Sequence, residues 1–132
     1  MSNAEVALRY LELSNRGDTT AAEALEHPGI RFWMSGRLIV SGELSAAQHR
    51  KASAAVHDTF PGGYTVHIKS VTEQDGRVAI EAKGNGVLED GTRYQPDYAF
   101  FFEIQDGRIA SLHEYLDTEY VGATFRLPVR GA

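Results

Sequence analysis

Apolar residues in the first half of the chain recur at the spacing of an α-helix. Val6, Tyr10 and Leu13 are separated by three or four positions, so they share one face of a helix. Three segments of the first half could form helices. A glycine or a Pro-Gly pair follows each of them, and both are typical of helix ends. We therefore predict three helices, over residues 4–16, 19–27 and 43–59.

Apolar and polar residues alternate in the second half of the chain, as they do in strands. Val66 and Ile68 occupy one face of such a strand, and His67 and Lys69 occupy the other. Asp-Gly pairs separate the apolar segments and are typical of hairpin turns. We predict four long antiparallel strands over residues 64–73, 77–89, 94–104 and 108–121, after two short strands over 30–34 and 37–40 joined by a turn at Ser35-Gly36.

This order of elements predicts an α+β fold in which helices cover one face of a curved antiparallel sheet. Phe100 and Phe102 lie on one face of the third long strand, and Phe101 lies on the other. Because the helices cover only one face, we predict a homodimer through the outer sheet face. The alternative is that the C-terminal tail, residues 123–132, covers Phe101. The alternation within that tail favours either an edge strand or a segment lying over the neighbouring subunit.

Composition narrows the possible partners. The chain has 132 residues, 42% of them hydrophobic and 23% charged, which predicts one domain spanning residues 1–132. Disulfides and thiolate metal sites are excluded because there is no cysteine, and no histidine spacing favours a metal site. The net charge of −5 without a basic cluster argues against nucleic acid. No apolar run reaches the ~18 residues that span a membrane, so we expect a cytoplasmic protein.

The segment "YQPDYAFFFEIQDGRIASLHEYLDT" resembles the C-terminal half of the NTF2-like superfamily. The similarity is to its SnoaL-like and ketosteroid-isomerase-like branch, and the order of elements from Ala4 to about Val121 agrees with it. The resemblance implies a cone-shaped fold, NTF2-like or cystatin-like. In it a strongly bent antiparallel sheet wraps around three N-terminal helices and encloses a deep apolar pocket. Since this fold carries many functions, the function must be argued from the site.

Glu114 is the candidate catalytic residue. Alternation places it on the same face as Leu112 and Leu116, and the resemblance places it where SnoaL-like cyclases carry their basic aspartate. An apolar pocket raises the pKa of a carboxyl group toward neutrality, which suits a general base. The alternative is a structural carboxylate that pairs with Arg9 or Lys51 or hydrogen-bonds a buried tyrosine.

Two mechanisms of related families do not carry over to this chain. Ketosteroid isomerases have their base near the end of the first short strand, where this sequence has Trp33. Epoxide hydrolases need an arginine and an aspartate two residues apart on a middle strand. This sequence has Gly84 and Gly86 there, or Lys83 and Asn85 if the register moves by one. The cyclase-like mechanism is the one that remains.

Two side chains are predicted as catalytic partners of the carboxylate. His49 lies on an apolar stripe of the third helix with Ala52 and Val56, and serves either as an acid–base group or as a packed core residue. The phenol of Tyr10 can donate a hydrogen bond to an enolate oxygen, as can that of Tyr98, for which core packing is the alternative. The predicted substrate-binding residues are Trp33, Tyr98, Phe100, Phe102, Leu112 and Leu116.

The predicted function is that of a cofactor-free isomerase or cyclase. Glu114 would move a proton on a small hydrophobic carbonyl compound. No cofactor is expected, because the substrate itself delocalises the charge. The alternative is a non-catalytic module of the same fold that binds a ligand or assembles with other chains, with Glu114 in a structural role.

Overall fold

The helices and strands follow the apolar periodicity, and a computed structural model that describes residues 1–131 gives their bounds. Within that range the helices are α1 (Asn3–Asn15), α2 (Thr19–Glu23), α3 (Ala46–Thr59) and α4 (Thr118–Phe125). The strands are β1 (Glu26–Met34), β2 (Gly42–Leu44), β3 (Tyr64–Gln74), β4 (Arg77–Val87), β5 (Arg93–Tyr94), β6 (Asp97–Gln105) and β7 (Arg108–Leu116). The α+β class expected from the sequence is confirmed. No helix of this part of the chain is both long and apolar enough to cross a membrane.

The strands form one curved, open sheet in the order β2-β1-β7-β6-β4-β3, with the short β5 paired to β4. Its long strands make the predicted antiparallel meander, because short turns join them. The pairing of β1 with β7 is parallel, so the sheet is mixed and not antiparallel throughout. These two strands are far apart in sequence, and no tight turn forces them to run in opposite directions.

Capping residues decide where the longer helices begin. The Ser2 hydroxyl accepts from the Glu5 N–H at the start of α1, and the Ser45 hydroxyl accepts from the Gln48 N–H at the start of α3. In both helices the side chain of the capped residue, Glu5 or Gln48, accepts in turn from the backbone N–H of the serine, which completes a capping box. Helix α3 therefore begins three residues later than predicted, at Ala46.

The region between α2 and α3 differs most from the prediction. Helix α2 ends at Glu23, and β1 extends through Pro28, where an irregular register between Glu26 and Arg31 accommodates a residue without an N–H. Residues 37–40 form a loop and not a strand, because the Leu38 N–H donates to the Ser41 hydroxyl (3.0 Å). The short strand that pairs with β1 is β2.

Two further predicted strands are shorter than expected. The strand predicted over 94–104 is interrupted at Gln95 and Pro96, and the last strand ends at Leu116 instead of residue 121. Asp117 then caps α4, accepting from the Tyr120 N–H at 3.2 Å. Beyond α4, the tail makes an isolated bridge from Val129 to Leu38, and Phe101 stays 39% exposed.

Two apolar clusters fill the concave side of the sheet. The first lies between α1 and the sheet, and contains Val6, Tyr10, Phe32, Val78, Ile80, Phe100, Phe102 and Leu112 among others. The second lies at the α4 end, and contains Leu38, Phe60, Tyr64, Tyr94 and Val121, with Met34, Tyr98 and Leu116 packed against it. Strand β7 passes from the first cluster, at Leu112, to the second, at Leu116. Glu114 therefore lies at the junction of the two clusters.

Candidate functional site

The hairpin of β6 and β7 positions Glu114. Asp106 and Gly107 take positive φ angles of 53° and 74°, as a type I′ hairpin turn requires. The resulting register pairs Glu114 with Phe100 on β6, and the parallel pairing with β1 places it beside Met34. Directly paired residues project to the same face of a sheet. Phe100 is only 3% exposed, so the Glu114 side chain lies on the inner face.

The carboxyl group of Glu114 makes no hydrogen bond or ion pair with any side chain of residues 1–131. Of its expected structural partners, Arg9 pairs with Glu12 at 3.3 Å and Lys51 is exposed on α3. The buried tyrosine Tyr10 donates to Glu26. Since no fully enclosed polar side-chain atom in this range lacks a partner, the carboxyl oxygens retain some accessible surface. Burial alone raises the pKa of Glu114 to about 7. Glu114 is therefore a largely desolvated carboxyl group on the inner face that keeps some accessible surface.

Three phenols lie near enough to this carboxyl group for its charge to act on them. Tyr64 and Tyr98 share a hydrogen bond of 2.5 Å between their hydroxyl oxygens, and the Tyr94 ring lies 6.1 Å from that of Tyr64. Burial is the main cause that raises the pKa of all three phenols, and the nearby charge of Glu114 adds to it. The polar groups on this part of the inner face are therefore one carboxyl group and several neutral hydroxyls.

A hollow lies between the helices. We call it the interhelical cleft, a cavity of about 350 Å³. Its walls come from α1, α2, the start of β1 and α3: Tyr10, Ser14, Gly17, Thr19, Ala22, Glu23, Glu26, His49, Arg50, Ser53, Ala54, His57 and Asp58.

Tyr10 and His49 lie in this cleft. The Tyr10 hydroxyl donates to Glu26 Oε2 at 2.8 Å, and burial raises the pKa of the Glu26 carboxyl group. The His49 ring stacks on Phe32 at 3.7 Å, and burial lowers the pKa of this histidine to about 4. His49 is therefore neutral at pH 7.

The inward face of α3 is not the predicted apolar stripe. Ala52 and Val56 are exposed, and the residues turned toward the cleft include His49, Ser53 and His57. The His57 ring nitrogen Nε2 lies 2.9 Å from the Ser14 carbonyl oxygen and links α3 to α1. An alanine-rich helix has too little contrast between its faces for periodicity to identify the buried one.

The predicted pocket residues separate into three groups. Trp33 lies on the outer face, paired with His113, and its ring centroid is 5.1 Å from that of His113. The prediction that Trp33 lines the pocket is therefore wrong, because the register of β1 turns its neighbours Phe32 and Met34 inward. Tyr10 and His49 line the interhelical cleft. The inner face of the sheet carries Glu114, Tyr98, Phe100, Phe102, Leu112 and Leu116.

Several residues near the site escaped the sequence analysis. Tyr64 begins β3, and Glu26 follows an apolar residue in a segment predicted to be helical. Gly84 and Gly86 were interpreted only as the absence of another family's catalytic residues. Their alternate spacing on β4 was the available signal, since two buried glycines on one strand face indicate that other groups approach the backbone closely. Within residues 1–131, no three His, Cys, Asp or Glu side chains are grouped as metal ligands are.

A sequence model of a known family matches most of this chain. The sequence model of the SnoaL-like domain matches residues 7–112. The chain belongs to the SnoaL-like domain family. Among curated proteins, no sequence match was found for this SnoaL-like protein.

Solved structures show its fold. A protein of Jannaschia sp. CCS1, described as a candidate SnoaL-like polyketide cyclase, is 20% identical with a TM-score of 0.76, covering 96% of this chain and 92% of that one. An NTF2-like protein of Burkholderia thailandensis E264 is 17% identical with a TM-score of 0.79, covering 95% and 98%. TerC, co-crystallised with polyporic acid, is 21% identical with a TM-score of 0.76, covering 95% and 96%. The NTF2-like fold implied by the sequence is confirmed.

Proposed function

We propose that this SnoaL-like protein binds a small hydrophobic carbonyl compound and catalyses cofactor-free proton transfer on it, as an isomerase or cyclase. Glu114 is the general base. The observation that carries the proposal is its unpaired carboxyl group on the inner face, at the junction of two apolar clusters, with a pKa raised to about 7. Near neutral pH such a group is present in both protonation states, so it can accept a proton and return it.

The surroundings of Glu114 favour an apolar ligand that carries at least one oxygen. Phe100, Met34 and Leu116 supply apolar surface, and the phenols supply hydroxyl groups. Sites of this kind bind greasy molecules and orient them with a few polar contacts. That TerC, a protein of the same fold, was co-crystallised with polyporic acid supports a small-molecule ligand.

Tyr10 and His49 lie in the wall of the interhelical cleft, which is formed by α1, α2, β1 and α3. The Tyr10 hydrogen is already donated to Glu26, and the His49 ring is stacked and neutral. Neither group is free to act as the proton donor beside Glu114 in this arrangement. Their proposed role is to shape the interhelical cleft.

Deuterium exchange at the carbon next to a ketone tests the proposal directly. With 2-tetralone as the probe in D₂O, proton NMR follows the loss of the α-hydrogen signals. The wild-type protein is expected to accelerate exchange over buffer, and Glu114→Gln to lower the accelerated rate by roughly 10²- to 10⁴-fold, the usual contribution of a general base. Glu103→Gln is the matched control, since Glu103 is exposed on the neighbouring strand. Unchanged exchange by Glu114→Gln means that the base lies elsewhere.

The non-catalytic alternative has its own supporting observation. Phe60, Tyr64 and Tyr94 are buried and pack together beyond Glu114, so side chains fill part of the concave space. In a binding or assembly module, 2-tetralone would shift the NMR signals of inner-face residues without accelerated exchange. The two measurements together separate the hypotheses.

We also propose a homodimer through the outer face of the sheet. An outer aromatic patch of Trp33, Phe101, His113 and Tyr115 lies there, with Phe101 39% and Tyr115 42% exposed. The Phe101 and Tyr115 rings contact edge to face at 5.5 Å, and Trp33 lies 5.1 Å from Tyr115. A contiguous aromatic patch of this kind is typical of an interaction surface.

A further inference from the structure

Gly84 gives two tyrosines room to meet above β4. The glycine lies on the inner face of this strand, with β3 and β6 on its two sides. A Cβ atom at Gly84 would overlap the Tyr64 hydroxyl oxygen and would stand 2.9 Å from Tyr98 Cε2. The two rings therefore lean over the glycine from opposite strands, and their hydroxyl oxygens meet at 2.5 Å.

A second glycine extends the same arrangement. A Cβ atom at Gly86 would stand 2.6 Å from Phe60 Cδ1 and 2.8 Å from Tyr64 Cδ1. The Tyr64 ring therefore packs closely over Gly86 and against the Phe60 ring, whose centroid lies 4.9 Å away. On the other strand, Tyr98 stacks on Phe100 at 4.9 Å. Both phenols are fixed by packing before any ligand binds, which is the condition for a pre-organised site.

The hydroxyl pair has one hydrogen more than the protein uses. Tyr64 and Tyr98 together carry two O–H hydrogens, and the bond between them consumes one. The Tyr94 hydroxyl is a further hydrogen-bond neighbour of Tyr98, so three phenols carry three O–H hydrogens for two mutual contacts and one hydrogen is still left over. The remaining hydrogen belongs to a hydroxyl whose oxygen already accepts a hydrogen bond, and such a group is a stronger donor than an isolated phenol.

We infer that the Tyr64–Tyr98 pair is a donor site for the oxygen of an enolate or phenolate ligand, held beside Glu114. This inference rests on the proposed function, because it names the group that binds the ligand oxygen at the same proposed site. The ligand class is an apolar compound with an acidic enol or phenol, or a ketone that becomes an enolate. Tyr64 and Tyr98 are then catalytic residues, and Gly84 is a positioning residue.

The step balances without any further reactant. The Glu114 carboxylate removes a hydrogen from the carbon next to the ketone, and the C–H electrons form the carbon–carbon double bond of the enolate. The former carbonyl oxygen takes the negative charge and accepts the free phenol hydrogen as a hydrogen bond. Return of the proton from Glu114 to the same carbon gives hydrogen exchange, and its return to the far carbon of a conjugated enolate completes an isomerisation. Both outcomes restore the carboxylate.

Binding of 4-nitrophenolate tests the inference, since the ionised probe absorbs visible light and needs no reaction. At a pH where the probe is ionised, the wild-type protein is expected to bind it. The Tyr64→Phe/Tyr98→Phe double variant is expected to lose about 10- to 100-fold in affinity, the usual contribution of hydrogen bonds to a charged group. Tyr115→Phe, which removes an exposed hydroxyl on the outer face, is expected to bind as the wild type does.

The single variants Tyr64→Phe and Tyr98→Phe and one glycine variant complete the test. The single variant with the larger loss identifies the hydroxyl that contacts the ligand. Gly84→Ala is expected to weaken binding while keeping both phenols, and Gly62→Ala is its control, since nothing lies within 4 Å of a Cβ there. The inference is overturned if the wild type does not bind the probe, or if the double variant binds it equally well.

Failure of the inference is distinguishable from failure of the proposed function. Glu114→Gln removes a negative charge next to the bound anion, so it is expected to bind 4-nitrophenolate at least as tightly as the wild type. Probe binding that depends on the tyrosines, with no accelerated exchange of 2-tetralone, sustains the donor site and contradicts catalysis. Accelerated exchange that depends on Glu114, with probe binding indifferent to both tyrosines, contradicts the donor site and sustains catalysis.

Discussion

Glu114 and Phe100 pair directly across β7 and β6, so a carboxyl group and a buried aromatic ring stand side by side on the inner face of the sheet. No cation of residues 1–131 pairs with this carboxyl group. An unpaired carboxylate in apolar surroundings costs free energy of folding, and a glutamine or leucine would be more stable there. A residue that disfavours folding and has no structural partner supports the chemical role proposed for Glu114.

The pH dependence of stability isolates the Glu114 carboxyl group. Its pKa is about 7 in the folded protein and 4.5 in the absence of the fold. Between these values the folded state holds more protons than the unfolded state, so the free energy of unfolding falls as the pH rises from 4.5 through 7. The Glu114→Gln variant has no carboxyl group at this position, so its free energy of unfolding does not fall in this way. Its stability advantage over the wild type is expected to be near zero at low pH and to reach at most about 3 kcal/mol at about pH 8.

Urea unfolding of both proteins at several pH values measures this difference. Glu103→Gln is again the control, because an exposed carboxyl group gives no such trend. A stability difference between Glu114→Gln and the wild type that stays constant across this range contradicts the desolvated carboxyl group.

His49 is expected to have the opposite pH trend. Burial lowers the pKa of this histidine from 6.5 to about 4. Between these values the unfolded state holds more protons, so the stability that a neutral His49 contributes is present above pH 6.5 and is lost as the pH falls toward 4. His49→Phe keeps the stacking on Phe32 and cannot be protonated, so it is expected to unfold less readily than the wild type at about pH 5.

The matched control for this measurement is His67→Phe, since His67 is exposed on β3. Equal acid sensitivity of His49→Phe and the wild type would mean that protonation of His49 does not oppose folding.

Local patterns were enough to orient the last strand but not to assemble the site. Alternation alone placed Glu114 with Leu112 and Leu116, and the structure agrees, because a side chain's face within one strand depends only on its own neighbours. The same alternation places Trp33 with Arg31, on the face opposite Phe32 and Met34. Motif matching assigned Trp33 to the pocket against this signal, and the structure turns it outward, paired with His113.

The phenol pair shows a different limit of sequence analysis. Tyr64, Gly84 and Tyr98 lie on three strands, and their relationship exists only once β3, β4 and β6 are in register. Glycine is also ambiguous in a strand, since it marks a bulge, a bend or a close approach. Only the structure shows that it is a close approach here.

Gly84→Ala is expected to destabilise the protein. The added methyl group would overlap the Tyr64 hydroxyl and crowd Tyr98, and overpacking of a buried site costs about 1 to 3 kcal/mol. Gly62→Ala is expected to leave stability within about 0.5 kcal/mol of the wild type or to raise it slightly, since its surroundings are open and alanine restricts the unfolded chain. Urea unfolding measures both. Similar stability of the two variants would show that the tyrosine rings have room to move away from Gly84.

Phe101→Glu tests the proposed dimer. Phe101 lies in the outer aromatic patch, paired with Ala79 on β4 and His113 on β7, and a carboxylate there would be buried without a partner in a dimer through this face. A stable interface buries about 800 Å² on each subunit, with its apolar residues at the centre. The wild type is therefore expected to sediment as a dimer and Phe101→Glu as a monomer. Ile39→Glu is the control, since Ile39 is 53% exposed in a loop away from the paired strands. A wild-type monomer, or a dimer that both variants retain, would assign the outer aromatic patch another role.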